Sequence, residues 1–352
     1  MKKLLFGLIM SVCATLAHAD YRFIVPQAPG GGTSVWATIV AKELEKKLGE
    51  KIIIEHIPGA NDIPGFNKFH NELRKDSKVV MVAHGGNAES YLVHPVDYNY
   101  SEYAPVGLMN LDIIVGRRTD FKSPVRFSAG SGMNPDVMAI TLLECGPLPN
   151  LEAYKKCYNE KIVYVEGMKG NDRRLSFMRG ELNTTRETTA AFNKHVVPMI
   201  EKREAEVWFK HGILDLKTGK PTDDVNFKGK LFADVYRARW GKEPSGDFYN
   251  AYLLVKSYRD VLQKSLWVDK NNPNREKLIK ALRDMLADPV AVAEIEKDTG
   301  KYPWIIGDDV NGAMKQLDSL LTAKALKDLV WWNTQILTQR AVYKDDLVKN
   351  RR

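Results

Sequence analysis

From residue 21 onward, short runs rich in β-branched residues alternate with longer segments whose apolar positions recur every three or four residues. RFIVP at 22–26 reads as a strand, and Val35, Trp36, Ile39, Val40, Leu44 and Leu48 mark one face of a helix that Gly49 closes. KIIIEH at 51–56 is the next strand and KVVMV at 78–82 the third, so the opening unit is strand, loop, helix, strand. Strands alternating with helices imply a mostly parallel sheet covered on both faces. A second series begins at VRFSAG (125–130), continues through KIVYV (161–165) and reaches RGELNTTRET (179–188). After Asn272-Pro273, a helix runs through Leu278, Ile279, Leu282 and Leu286, and Trp331-Trp332 sit in another. Those faces read as core. The expected fold class is therefore α/β, with two similar units that face one another and enclose a ligand between them.

In such sheets ligands sit beyond the carboxyl ends of the strands, and three loops leave strands at that end: APGGGTS, PGAND and AHGGNAES. They should converge on one crevice. Without Cβ atoms, a glycine run lets a ligand approach the main chain, and the helix that follows offers unpaired N–H groups and the positive end of its dipole. That favours an anion. The Walker pattern fails, because Thr33-Ser34-Val35-Trp36 stands where a lysine is required, and the dinucleotide fingerprint fails because Val35 occupies its third glycine. A tight turn with no ligand is the alternative reading.

Composition narrows the class. A chain of 352 residues with 44% hydrophobic content suits two packed domains. Lys2 and Lys3 precede an apolar stretch ending in Ala17-His18-Ala19, which reads as a secretory leader over residues 1–19, cut before Asp20 and too short to span a membrane. Its loss would lower the formal charge from +8 to +6, and the remaining excess is dispersed through alternating runs such as KELEKKLGEK. A nucleic-acid partner is not expected. Cys145 and Cys157 would then meet an oxidising compartment, where they either pair or remain two separate buried thiols. SAGSGMN lacks the nucleophile elbow, since Ala129 and Met133 stand where glycines should flank Ser131. The histidines at 56, 70, 84, 94, 195 and 211 form no HExxH pair, and two cysteines make no zinc quartet. No cofactor, metal or catalytic residue is expected.

The order IVPQAPGGGTS, IIIEHIPGA, VVMVAHGG, YAPVGLMNLDIIVG, the glycine loop at 130–132 and RGELN resembles the periplasmic solute-binding receptors of tripartite tricarboxylate transporters, often called Bug proteins. The resemblance covers most of the chain after the leader. It implies a two-lobed, hinge-closing fold of the periplasmic-binding-protein kind, with an interlobe cleft that captures a small carboxylated molecule for a membrane permease. The expected protein is a non-enzymatic, periplasmic monomer. Residues 20–122 with 253–352 should form one lobe and 123–252 the other. Carried over by position, the first loop supplies Ala28, Gly30, Gly31, Gly32, Thr33 and Ser34, the second Gly59, Ala60, Asn61 and Asp62, and the third His84, Gly85, Gly86 and Asn87. Ser131, Lys169, Asn183 and Arg186 represent the second lobe.

Departures from the family pattern leave the solute unnamed. Ser34 replaces a common acid, Asn61-Asp62 replaces a glycine-rich step, Asp136 stands near a usual histidine, Asn183 replaces a frequent aspartate, and 188–250 is longer than usual. Asp62 reads either as a cap of the following helix or as a counter-charge for the solute. Lys169 and His84 are each either a structural or a ligand-touching group. Arg186 either grips a second acidic group bidentately or pairs on the surface with Glu181 or Glu187. Besides a receptor, an exported enzyme acting on a carboxylate and a ligand-sensing subunit share these features.

Overall fold

The structure, a computed structural model, describes residues 20–129, 135–168, 170–223, 227–338 and 341–349. The leader at 1–19, Ser131 and Lys169 lie outside the described residues. The chain runs through β1 (Tyr21–Val25), α1 (Gly32–Leu48), β2 (Ile52–His56), α2 (Ile63–Lys68), β3 (Val79–His84), α3 (Gly85–Val93) and β4 (Tyr103–Met109). It continues through β5 (Ile113–Arg118), β6 (Val125–Ala129), α4 (Pro135–Cys145), α5 (Leu151–Lys161), β7 (Ile162–Glu166), α6 (Gly170–Met178) and β8 (Thr184–Thr188). After α7 (Thr189–His195) and α8 (Val197–Glu201) come β9 (Ala205–Lys210), the short pair β10 (Ile213–Leu214) and β11 (Pro221–Thr222), α9 (Phe232–Trp240) and α10 (Asp247–Val261). The chain then returns as β12 (Lys264–Asp269) and β13 (Trp304–Ile306), and helices follow to the end.

Six strands form one mixed sheet in the order β13-β4-β12-β3-β1-β2. The opening strands are parallel, as the sequence pattern predicts, but β12 lies antiparallel between β3 and β4. Its direction has a simple cause. α10 delivers the chain to the edge where β3 and β4 end, so β12 must run away from that edge. β5, which starts just past β4, is antiparallel to both β8 and β9. β6 and β7 pair in parallel, and bonds from Asn183 to the strand start at Arg126 tie them to β8. The molecule is thus two-lobed, and strand pairing puts β5 with the second group, so the change comes ahead of the boundary expected at residue 122.

Amphipathic helices cover both faces of the large sheet. From α1, Trp36, Ala37, Val40 and Leu44 are buried against Leu278, Ile279 and Leu282 of the helix Arg275–Leu286. Each of the valine, leucine and isoleucine side chains contributes roughly 1.5–3 kcal/mol. Val35, expected on that face, is exposed, and Ala37 and Ala41 fill the stripe instead. The opposite face is aromatic, with Phe66 stacked on Tyr98 at a centroid distance of 4.0 Å and Tyr100 edge-on to Trp267. In the second lobe Cys145 and Cys157 are joined as a disulfide, which links the C-terminal end of α4 to the middle of α5.

Candidate functional site

The three glycine-bearing loops meet at the carboxyl ends of β1, β2 and β3. Gly30 is left-handed, with φ of 80°, which turns the chain into α1, and no side chain caps that helix. Ala28, Gly30 and Gly32 are exposed while Thr33 and Ser34 are buried. Ser34 Oγ accepts from the Gly30 amide at 3.3 Å and lies 2.8 Å from His56 Nε2, so the first loop is braced on the end of β2.

The second loop passes Gly59 and Ala60 and then places Asn61 and Asp62 in left-handed conformations, with φ of 53° and 58°. Asn and Asp tolerate this region better than most side chains. The third loop holds them there: Asn87 Nδ2 donates to Asp62 O at 3.1 Å, and Ser90 Oγ donates to Asn61 O at 3.4 Å. Asn87 Oδ1 also accepts from the His84 amide, so the Asn87 side chain is a loop staple rather than a free ligand donor. The cap expected of Asp62 is absent, because its carboxylate turns to His84 Nε2 at 2.8 Å and to Gln27 Nε2 at 3.3 Å. His84 Nδ1 accepts the Gly86 amide at 3.0 Å, which leaves Nε2 as the donor to Asp62. Burial would raise the Asp62 carboxyl, but His84 and Gln27 hold it below its ordinary value. Gly85 has its own constraint, since a Cβ there would come within 2.6 Å of Arg259 Cγ.

Lys264 opens β12 beside His84 and Met109 in the sheet register. It is 8% exposed, and its Nζ donates to Thr33 Oγ1 at 2.8 Å. Burial pushes this ammonium down to about 7, against the opposing pull of Asp62.

The other wall centres on Asp136, in the first turn of α4 and 0% exposed. Its carboxylate lies 3.0 Å from Arg186 Nε, 3.1 Å from Arg259 Nη1 and 2.7 Å from His211 Nε2. Tyr252 OH meets the other His211 nitrogen at 2.7 Å. Desolvation opposes the Asp136 charge, but Arg186, Arg259 and His211 hold its carboxyl far below the usual carboxylate range. Arg186 is lowered to about 10, chiefly by burial and then by Arg259. Arg259 Nε also lies 3.1 Å from Glu89 Oε1 of α3, without hydrogen-bond geometry. There burial outweighs the guanidinium and pushes Glu89 up to about 8. Arg259 therefore links the third loop's helix to the second-lobe wall.

One alternative raised by the sequence does not hold, and one candidate residue is engaged elsewhere. Arg186 is not a surface cation paired with Glu181 or Glu187: it is buried on Asp136, while Glu187 takes Arg173 and Arg174 and Glu181 takes Arg179. Asn183 lies at the opposite end of β8 from the crevice. Its amide is occupied by the Arg126 amide at 2.7 Å and the Lys122 and Pro124 carbonyls at 3.0 and 2.9 Å. It staples the connection into β6. The sequence reading missed Lys264, Arg259, Glu89, His211 and Gln27 as neighbours of the site. A signal existed for two of them: Arg259 interrupts an apolar helix, AYLLVKSYRDVL, and Lys264 opens an apolar strand, KSLWVD. Among the described residues no group of three or more His, Cys, Asp or Glu could hold a metal, and no helix is long and apolar enough to cross a membrane.

No protein-family model matches the chain, and no curated protein matches it in sequence. Solved structures do match in shape. The periplasmic binding protein BugD superposes with a TM-score of 0.53 at 15% identity, covering 86% of this chain and 95% of its own. MatC from Rhodopseudomonas palustris, solved with bound malate, gives 0.52 at 14% identity and covers 88% of this chain and 98% of its own. Another R. palustris protein, solved with adipate, gives 0.56 at 10% identity, with 89% and 98% covered. At these identities the likeness establishes the fold, a two-lobed α/β architecture shared with Bug-type periplasmic binding proteins.

Proposed function

We propose that this chain is an extracytoplasmic solute-binding receptor that takes a small carboxylated molecule into its interlobe cleft, releases it chemically unchanged and hands it to a tripartite tricarboxylate-type permease. It works in the periplasm as a monomer, after loss of a leader that ends at residue 19. The observation that carries this reading is Arg186. Its guanidinium is buried, Nε lies against Asp136, and among the described residues Nη2 has no hydrogen-bond partner. A buried, unsatisfied guanidinium edge is costly unless an acceptor completes it, and a carboxylate is the acceptor whose geometry it matches. The uncapped N-terminus of α1 supplies the complementary end for a second anionic group. Malate and adipate, seen in two proteins of this fold, are the first solutes to try.

The test begins with mass spectrometry of small molecules released from freshly purified protein, which names the solute and shows whether it returns unaltered. A carboxylate panel is then run by thermal shift on ligand-free protein. At about one hundred times Kd a true solute stabilises the fold by about 2.7 kcal/mol. No shift with any carboxylate, on protein shown to be empty, would refute the receptor reading; a chemically converted solute would favour the exported enzyme.

A further inference from the structure

We propose that Lys264 is the charged anchor of the first lobe, bonding directly to an anionic group of the solute that seats on the N-terminus of α1. The inference rests on the receptor reading and adds a residue from neither lobe's glycine loops. Lys264 sits where those loops meet: its side chain reaches Thr33 of the first, Asp62 of the second is the charge that acts on it, and its backbone lies beside His84, which opens the third.

An ammonium carries three N–H donors, and Thr33 Oγ1 accepts one of them. Among the described residues no carboxylate lies within ion-pair distance of it. The nearest acid able to act on it, Asp62, is turned toward His84 and Gln27. The other flanking strand end is Met109 of β4, which is apolar. A lysine 8% exposed, with one neutral partner and, among the described residues, no ion pair, is unfavourable in the empty protein. A solute carboxylate entering beside Thr33 supplies the missing charge. The same carboxylate accepts from the open N-terminal amides of α1, so two positive features converge on one anion. The empty protein then holds Lys264 partly deprotonated near neutral pH, and binding draws a proton onto it.

The experiment compares wild type with Lys264→Met and Lys264→Gln in two measurements. Melting of the ligand-free proteins is followed from pH 6 to pH 9, and malate and adipate are titrated calorimetrically in buffers of unlike ionisation heat. Below about pH 7 the empty wild type carries the buried charge, so Lys264→Met should melt higher than wild type at pH 6, with the gain shrinking toward pH 9. Binding of the better probe should weaken at least tenfold in both variants. At pH 8 wild type should take up a fraction of a proton on binding that the variants do not. A lower melting temperature for both empty variants at every pH, or affinities within twofold of wild type, would overturn the proposal. If wild type binds neither probe, the failure belongs to the receptor reading with those solutes. The melting comparison then decides alone: a gain at pH 6 upholds the uncompensated cation and a loss overturns it.

Discussion

Asp136→Asn tests the wall of the cleft most directly. The native carboxylate is shared by Arg186 at 3.0 Å, Arg259 at 3.1 Å and His211 at 2.7 Å, and it is wholly buried. Asparagine keeps the volume and removes the charge, leaving two guanidiniums near one another without their common anion. Breaking a buried ion pair from one side costs about 3–5 kcal/mol. Unfolding entropy near 60 °C is about 2.1 cal/mol/K per residue, so a folded chain of roughly 330 residues loses ~0.7 kcal/mol per degree, and the variant should melt about 4–7 °C lower. The pH dependence follows from the same contact. Because the folded carboxyl titrates far below its unfolded value, its contribution is complete above about pH 4 and is lost as the pH falls further, by about 1.4 kcal/mol per unit. Circular-dichroism melts of both proteins at pH 7, 5 and 3.5 should therefore show a constant gap between the first two and a narrower one at the third. A variant melting within about 1 °C of wild type at pH 7, or a gap unchanged in acid, would refute the argument that Asp136 is the charge organising this wall.

Three further outcomes are expected. Arg186→Lys should weaken binding of the identified solute at least tenfold, about 1.4 kcal/mol, and because Arg186 is buried on Asp136 it should also lower the melting temperature of the empty protein; calorimetry giving equal affinities would move the specificity determinant elsewhere. Glu89 holds its proton up to about pH 8 in the fold, so it costs stability as pH rises from about 4.5 to 8; Glu89→Gln should stabilise the protein at pH 8 and do little at pH 4.5, and denaturant titrations at the two pH values would expose the opposite order. Asn183→Ala removes the partner of one amide and two carbonyls and should cost at least about 2 kcal/mol while leaving solute affinity within twofold, whereas a large affinity loss would restore Asn183 to the site.

Hydrophobic spacing by itself placed α1, β2, β3, β6 and β7 and the three loops after the opening strands, because each of those signals is local: a period of two or 3.6 residues, or a glycine where the chain turns. It also proposed the partners Cys145 and Cys157, 12 residues apart, without deciding whether they pair. Arg186 was singled out as a candidate cation but not as a partner of Asp136, 50 positions earlier in the chain. The direction of β12, and with it the mixed sheet, followed from where the chain re-enters the first lobe, which no window of sequence contains. The charges show the same division. Lys264 meets Thr33 across 231 positions and Arg259 meets Asp136 across 123, so neither contact leaves a periodic trace. Spacing cannot tell a lysine at a strand start from a solvated one. Only the tertiary structure, by closing α1, β3 and β4 around Lys264, buried its ammonium against Thr33 at the start of a helix.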